Sequence, residues 1–111
     1  MHLCGLTAGT TYHYRVGTGA HMSADSTFTT APADGRPVRI LVAGDSRGNA
    51  STWGEVIQAG AAEAPDLAIF TGDANDLGSI QDDWEAWFAA GKGVLEHLPL
   101  MMVQGNHENN A

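Results

Sequence analysis

Three short apolar runs, each leading to a glycine and then a short polar residue, set the strongest limit on what this chain can fold into. Val38-Arg39-Ile40-Leu41-Val42-Ala43 runs into Gly44-Asp45, Leu67-Ala68-Ile69-Phe70-Thr71 into Gly72-Asp73, and Leu98-Pro99-Leu100-Met101-Met102-Val103 reaches Gly105-Asn106. Near-continuous apolar runs of this length read as strands buried on both faces of a parallel sheet. Parallel neighbours need crossovers, and the intervening segments supply them. Thr52 to Ala62 sets Trp53, Val56, Ile57 and Ala61 at helical spacing before Pro65 ends the helix. Ile80 to Ala90 sets Trp84, Trp87 and Phe88 on one side of a second helix. The three tryptophans are read as packing residues. The order is β-α-β-α-β, which calls for an α/β fold with right-handed crossovers.

The first thirty residues follow a different period. Residues 11 to 17 alternate aromatic or β-branched with polar side chains, so Tyr12, Tyr14 and Val16 are expected on one face of a half-buried strand. After the Gly- and Ser-containing stretch from Gly17 to Ser23, Ser26-Thr27-Phe28-Thr29-Thr30 reads as its hairpin partner. Ala31 to Pro37 holds two prolines and a glycine and marks a boundary. The expected units are therefore 1–31, a linker at 32–37, and 38–111. A lone hairpin is marginal in water. Either it docks on the following unit or the strands that once accompanied it have been cut away, and the second reading is preferred here.

Composition narrows the function. At 111 residues and 43% hydrophobic the chain can bury one ordinary core. A formal charge of -8 with only five Lys and Arg lacks the clustered cations that nucleic acids and anionic membranes require. Phosphate esters are not excluded, because bound metal ions can supply the positive charge and carboxylates hold such ions. The single cysteine, Cys4, has no partner for an internal disulfide and reads as a small residue in a strand or turn. No apolar run approaches the roughly 18 residues of a membrane span, and the N-terminus carries no signal-peptide pattern. Nothing in the sequence assigns an oligomeric state.

In open parallel sheets ligands bind beyond the carboxyl ends of the strands. Three loops should therefore meet in one crevice: Gly44-Asp45-Ser46-Arg47-Gly48-Asn49, Gly72-Asp73-Ala74-Asn75-Asp76 and Gly105-Asn106-His107-Glu108. Taken singly, Asp45 and Asp73 read equally as turn formers or helix N-caps, and His107 as a hydrogen-bonded loop histidine. His2, His13, His21 and His97 receive only that ordinary reading. Arg47 follows Asp45 by two positions, where a guanidinium fork can hold two phosphate oxygens at once.

Gly-Asp, Gly-Asp and Gly-Asn-His-Glu, in this order at strand ends, resemble the calcineurin-like metallophosphoesterases, including purple acid phosphatases, over residues 38 to 108. The strand pair in residues 6 to 32 resembles the end of a fibronectin type III domain, a sandwich of about seven strands. The resemblance implies a β-α-β-α-β half of a metallophosphoesterase sandwich behind a β-hairpin remnant. It further implies Asp45 as ligand to a first metal, Asp73 as a bridge between two metals, and Asn106 as ligand to the second. His107 is implied to lie beside the scissile phosphate without binding metal, assisting the transition state and the leaving oxygen. Two di- or trivalent ions (Fe, Mn or Zn) would activate a water for in-line attack on a phosphomonoester or phosphodiester. The substrate would be a small-molecule or macromolecular phosphate ester, and an extracellular or periplasmic location is implied by resemblance alone.

The chain departs from the family at identifiable positions. Many relatives carry Asp-x-His in the first loop, where this chain has Asp45-Ser46-Arg47, and an arginine cannot ligate a cation. Purple acid phosphatases carry a tyrosine three residues after the bridging aspartate, where this chain has Asp76, so no tyrosinate-iron chromophore is expected. Asp76 either adds a hard oxygen ligand, suited to Mn, Mg, Ca or Zn, or pairs with Arg47. The family's later histidines, ending in Gly-His-x-His, do not occur in these residues. The chain is accordingly expected to be a truncated product or partial gene, holding part of a two-metal ligand set and inactive alone, with sheet edges that the missing half would cover. The rival from another class is a non-catalytic α/β binding module that keeps the fold without a working site. A Rossmann-type nucleotide protein is disfavoured, since no Gly-x-Gly-x-x-Gly follows the first strand.

Overall fold

The computed structural model describes residues 2–109. Its centre is a parallel sheet of β5 (Ile40–Ala43), β6 (Leu67–Phe70) and β7 (Leu100–Met102) in the order β5-β6-β7. Ile40 pairs with Leu67, Ala43 with Phe70, and Ala68 with Leu100. Helix α1 (Ala50–Ala62) makes the first crossover and α2 (Gln81–Ala90) the second. Asn49 caps α1 by accepting the Thr52 N–H at 3.2 Å, and Pro65 stands just past its end. Helix α2 has no side-chain cap, but Asp82 and Asp83 in its first turn oppose the positive end of the helix dipole.

Both helices cover the same face of the sheet. Trp53 and Ile57 of α1 and Trp87 of α2 close over Ala68 and Phe70 of β6, with Leu41, Ala43 and Leu100 beside them. The indoles of Trp53 and Trp87 stack at 4.7 Å between ring centroids, and Phe70 stands edge-on to both at 5.0 and 5.1 Å. The opposite face corrects the sequence expectation of strands covered on both sides. Ile40, Val42 and Met101 are 51%, 61% and 66% exposed. Strand order here follows chain order, so two crossovers of one hand must pack on one side, and an apolar run alone does not say how many faces are covered.

The N-terminal hairpin pairs β1 (Thr11–Tyr14) with β4 (Ser26–Thr29) antiparallel, and β2 (Gly17–Thr18) with β3 (His21–Met22) forms a short ladder inside the expected connecting stretch. Tyr12 faces Phe28 across the ladder and stacks on it at 5.8 Å. Val16 lies beyond β1 and is exposed rather than sharing the face of Tyr12 and Tyr14. The hairpin docks on the following unit. Tyr14 Oη donates to the carbonyl of Glu96 at 2.8 Å, and His97 Nδ1 donates to the carbonyl of Thr27 at 2.9 Å. The linker is tied down as well: Asp66 accepts from the Arg36 guanidinium and from the N–H of Arg39. Cys4 is exposed and free. Among the described residues no helix is long and apolar enough to cross a membrane.

Candidate metal centre

The loops that follow β5, β6 and β7 are laced together by their backbones. Asp45 N–H donates to the Gly72 carbonyl at 2.9 Å, Arg47 N–H to Asp73 at 3.0 Å and Gly48 N–H to Ala74 at 3.0 Å. Ser46 Oγ also donates to the Ala74 carbonyl, and accepts the indole N–H of Trp87 from the core below. The third loop joins through Gly78 N–H, which donates to the His107 carbonyl at 3.2 Å. The sequence-predicted convergence of the three loops is therefore present in the fold.

Asp45 and Asp73 share an unusual conformation, with φ of 57° and 55°, and Arg47 sits at 43°. Non-glycine residues enter this left-handed region rarely, and Asp does so more readily than most. Each aspartate is thus turned sharply at the end of its strand. Neither caps a helix, since the N-caps are Asn49 and Ile80. The second and third loops approach backbone to backbone: a Cβ on Gly72 would stand 2.5 Å from the Gly105 nitrogen, and one on Gly105 the same distance from the nitrogen of Asp73. Both positions are closed to any side chain.

Two carboxylates bind across this contact in opposite directions. Asp73 Oδ1 accepts the N–H of His107 at 2.9 Å. Glu108 Oε2 accepts the N–H groups of Asp73 at 2.9 Å and Gly105 at 2.7 Å, and its Oε1 accepts Ala74 N–H at 2.6 Å. Burial of Glu108 is the largest single influence on its ionisation and opposes it, but the N–H groups of Asp73, Gly105, Ala74 and Asn75 together outweigh burial and hold the carboxyl below its ordinary pKa.

The imidazole of His107 is fixed by its Nδ1, 2.9 Å from the carbonyl oxygen of Asp76. A carbonyl only accepts, so Nδ1 carries the hydrogen and Nε2 is the nitrogen left for other work. Asp76 thus serves His107 through its main chain, and its exposed carboxylate does not pair with Arg47. Arg47 turns instead to Asp45, Nε to Oδ1 at 2.8 Å, which corrects the expected Arg47 to Asp76 pairing. The hydrogen bond and the charge of Asp45 raise the Arg47 pKa, with Asp73 and Asp76 adding to the field. Asn106 stands exposed at the third loop.

Asp45, Asp73, Asp76 and Asn106 offer hard oxygen donors on adjoining loops, which is the chemistry of a divalent-cation site. Fully buried Asn75, between Asp73 and Asp76, has no partner among the described residues for either its side-chain oxygen or its nitrogen, so this loop holds polar capacity that those residues do not satisfy. The donors fit a metal in kind and fall short in number. Among the described residues no three His, Cys, Asp or Glu side chains gather closely enough to hold an ion. Glu108 was not assigned a role from sequence, although its place directly after His107 was the available signal. Asn75 gave no signal, since burial of one loop amide is not periodic.

No curated protein sequence matches this chain. A solved structure, purple acid phosphatase PPD1 isolated from yellow lupin (Lupinus luteus) seeds, superposes on 93% of the chain with a TM-score of 0.72 at 22% identity. The match takes in 22% of that protein, so this chain spans about a fifth of its length, and at this identity the likeness is one of fold. The sequence pattern of the calcineurin-like phosphoesterases matches residues 38–111, from the first strand of the parallel sheet through all three loops. Shared pattern and shared fold place the chain in the calcineurin-like phosphoesterase family.

Proposed function

We propose that this chain carries part of the active site of a metal-dependent phosphate-ester hydrolase, with Asp45, Asp73 and Asn106 as metal ligands and His107 as the group that meets the substrate. Phosphoesterases of this family generally use divalent metal ions. The observation that carries the reading is the pairing of Asp73 with the His107 main chain: that contact fixes the aspartate, while the separate bond from His107 Nδ1 to the Asp76 carbonyl leaves Nε2 available. Cations held there would supply positive charge against the phosphoryl oxygens and activate the attacking water. In its imidazolium form His107, with Nδ1–H held by Asp76, can stabilise a phosphoryl oxygen or protonate the leaving oxygen through Nε2–H. Arg47 can reach a phosphate oxygen by exchanging its exposed partner Asp45. Two cations need more donors than these loops provide, so the remaining ligands, and the full activity, come from polypeptide outside these 111 residues. An extracellular or periplasmic setting and a hairpin derived from a fibronectin-like domain belong to the same proposal.

The ion pair between Arg47 and Asp45 favours a second reading, a binding module whose first metal position is neutralised. Titration of the chain with Mn²⁺ and Zn²⁺ separates the two. Cation binding that is lost in Asp73→Asn supports the hydrolase site. A full-length protein that takes up neither ion, or that leaves p-nitrophenyl phosphate and its bis ester intact, supports the module.

A further inference from the structure

We propose that Glu108 is a positioning residue that sets the loop of Asp73 against the loop of His107, and so fixes the direction in which both present their reactive atoms. The inference rests on the hydrolase reading above and concerns a residue that touches neither substrate nor metal in it. Its basis is the geometry of a single carboxylate. Three backbone N–H groups from two loops end on Glu108, at 2.6 to 2.9 Å. One donor is Asp73 itself, held at a φ of 55° that its own preferences disfavour. Another is Gly105, whose backbone leaves no room for a Cβ against Asp73. The contact is reciprocal, since Asp73 Oδ1 accepts from the His107 N–H directly before Glu108 in the chain. With one carboxylate oxygen of Asp73 committed to the third loop, any small rotation of the loops would turn the other away from a cation. Partners of metal ligands that act at this remove typically change metal affinity when altered.

A neutral isostere distinguishes positioning from simple loop stability. Oε2 receives two N–H groups and Oε1 receives one, so the amide of Glu108→Gln must turn its NH₂ toward at least one donor. In the 111-residue chain, the amides of Asp73, Ala74 and Gly105 are expected to be protected from hydrogen exchange. In Glu108→Gln, protection should fall at those amides while Phe70 and Trp87 in the core keep theirs. Calorimetric titration with Mn²⁺ should show Kd raised about 10- to 100-fold, with Glu108→Asp falling between Gln and wild type. Unchanged Mn²⁺ affinity in Glu108→Gln, alongside lost binding in Asp73→Asn, overturns the positioning role and leaves the site assignment standing. Equal Mn²⁺ binding by wild type and Asp73→Asn overturns the site assignment, and the positioning role with it. If Glu108→Gln does not fold, the wild-type exchange rates still decide: rapid exchange at all three amides overturns the proposal.

Discussion

The main-chain N–H of His107 lies 2.9 Å from Oδ1 of Asp73, so the third loop of the sheet is tied directly to the carboxylate of the second. The bond uses the backbone of His107, and its ring is held separately by the Asp76 carbonyl. Removing the ring therefore leaves the tie to Asp73 in place. On the proposed hydrolase reading, His107→Ala is expected to lower kcat by about 10² to 10⁴ while metal content stays unchanged. Elemental analysis alongside steady-state kinetics checks this. Metal lost from the variant with normal turnover per remaining metal would make His107 a ligand instead.

A methyl group at Gly105 is expected to separate the second and third loops. Its Cβ would meet the Asp73 nitrogen at 2.5 Å and the Asp73 Cγ at 2.7 Å, and these cannot move without breaking the contacts of Asp73 to Glu108 and to the His107 N–H. Gly105→Ala should lower unfolding stability by about 1–3 kcal/mol and weaken Mn²⁺ binding. Gly93→Ala is the control: its φ is 83° with nothing within 4 Å of an added Cβ, so it strains the backbone without touching the loops. Urea denaturation should show a loss in both variants, and calorimetry a change in Mn²⁺ affinity only in the first.

The carboxylate of Asp66 gives the linker a pH dependence. The Arg39 N–H foremost, and the Arg36 side chain after it, hold its pKa below the ordinary 3.8. A depressed carboxyl pKa contributes stability that is present above the ordinary value and is lost as pH falls through the folded one. The Tm of wild type should therefore exceed that of Asp66→Asn at pH 5 to 7, and the gap should close below pH 3.8. A gap that is constant down to pH 2.5 would show that the loss in the variant is not electrostatic.

Much of this architecture was legible because it depends on short-range periodicity. The runs ending at Ala43, Thr71 and Val103, and the helical spacing of Trp53, Ile57 and Trp87, gave the α/β order to within a few residues at the element ends. Convergence of the three loops followed from parallel topology alone. What the sequence did not reveal depends on contacts between distant segments. The bare face of Ile40, Val42 and Met101 is a consequence of strand order, which no single run encodes. Arg47 meets Asp45 rather than Asp76 in a loop where both Asp45 and Arg47 hold a positive φ, a backbone detail that residue types do not specify outside glycine. The role of Glu108 as acceptor of three N–H groups exists only once two loops 35 residues apart are brought together.

Arg47 offers the sharpest test of what the first loop does. Its Nε bonds to Oδ1 of Asp45, and both side chains are largely exposed, 52% and 68%. Water screens such a pair, so the pair adds little to the stability of the fold. Its consequence lies in competition, because the Asp45 oxygen that meets Arg47 is one that a cation would use, and the positive charge of Arg47 repels that cation. Removing the guanidinium should therefore tighten cation binding and, at the same time, weaken binding of a phosphate group that Arg47 would otherwise grip. For Arg47→Ala the expected results are an unchanged Tm, a several-fold lower Kd for Mn²⁺, and a Kd for inorganic phosphate raised about tenfold in the Mn²⁺-loaded protein, the lower end of what one charge-assisted hydrogen bond contributes. Arg47→Lys keeps the charge without the fork and should recover only part of the phosphate affinity. Asp45→Asn supplies the opposite arm, freeing Arg47 while weakening the metal position, so Mn²⁺ affinity should fall. Calorimetric titrations of wild type and the three variants decide the matter: phosphate affinity that does not respond to Arg47 rules out a clamp, and a lowered Tm in Arg47→Ala makes the pair with Asp45 structural.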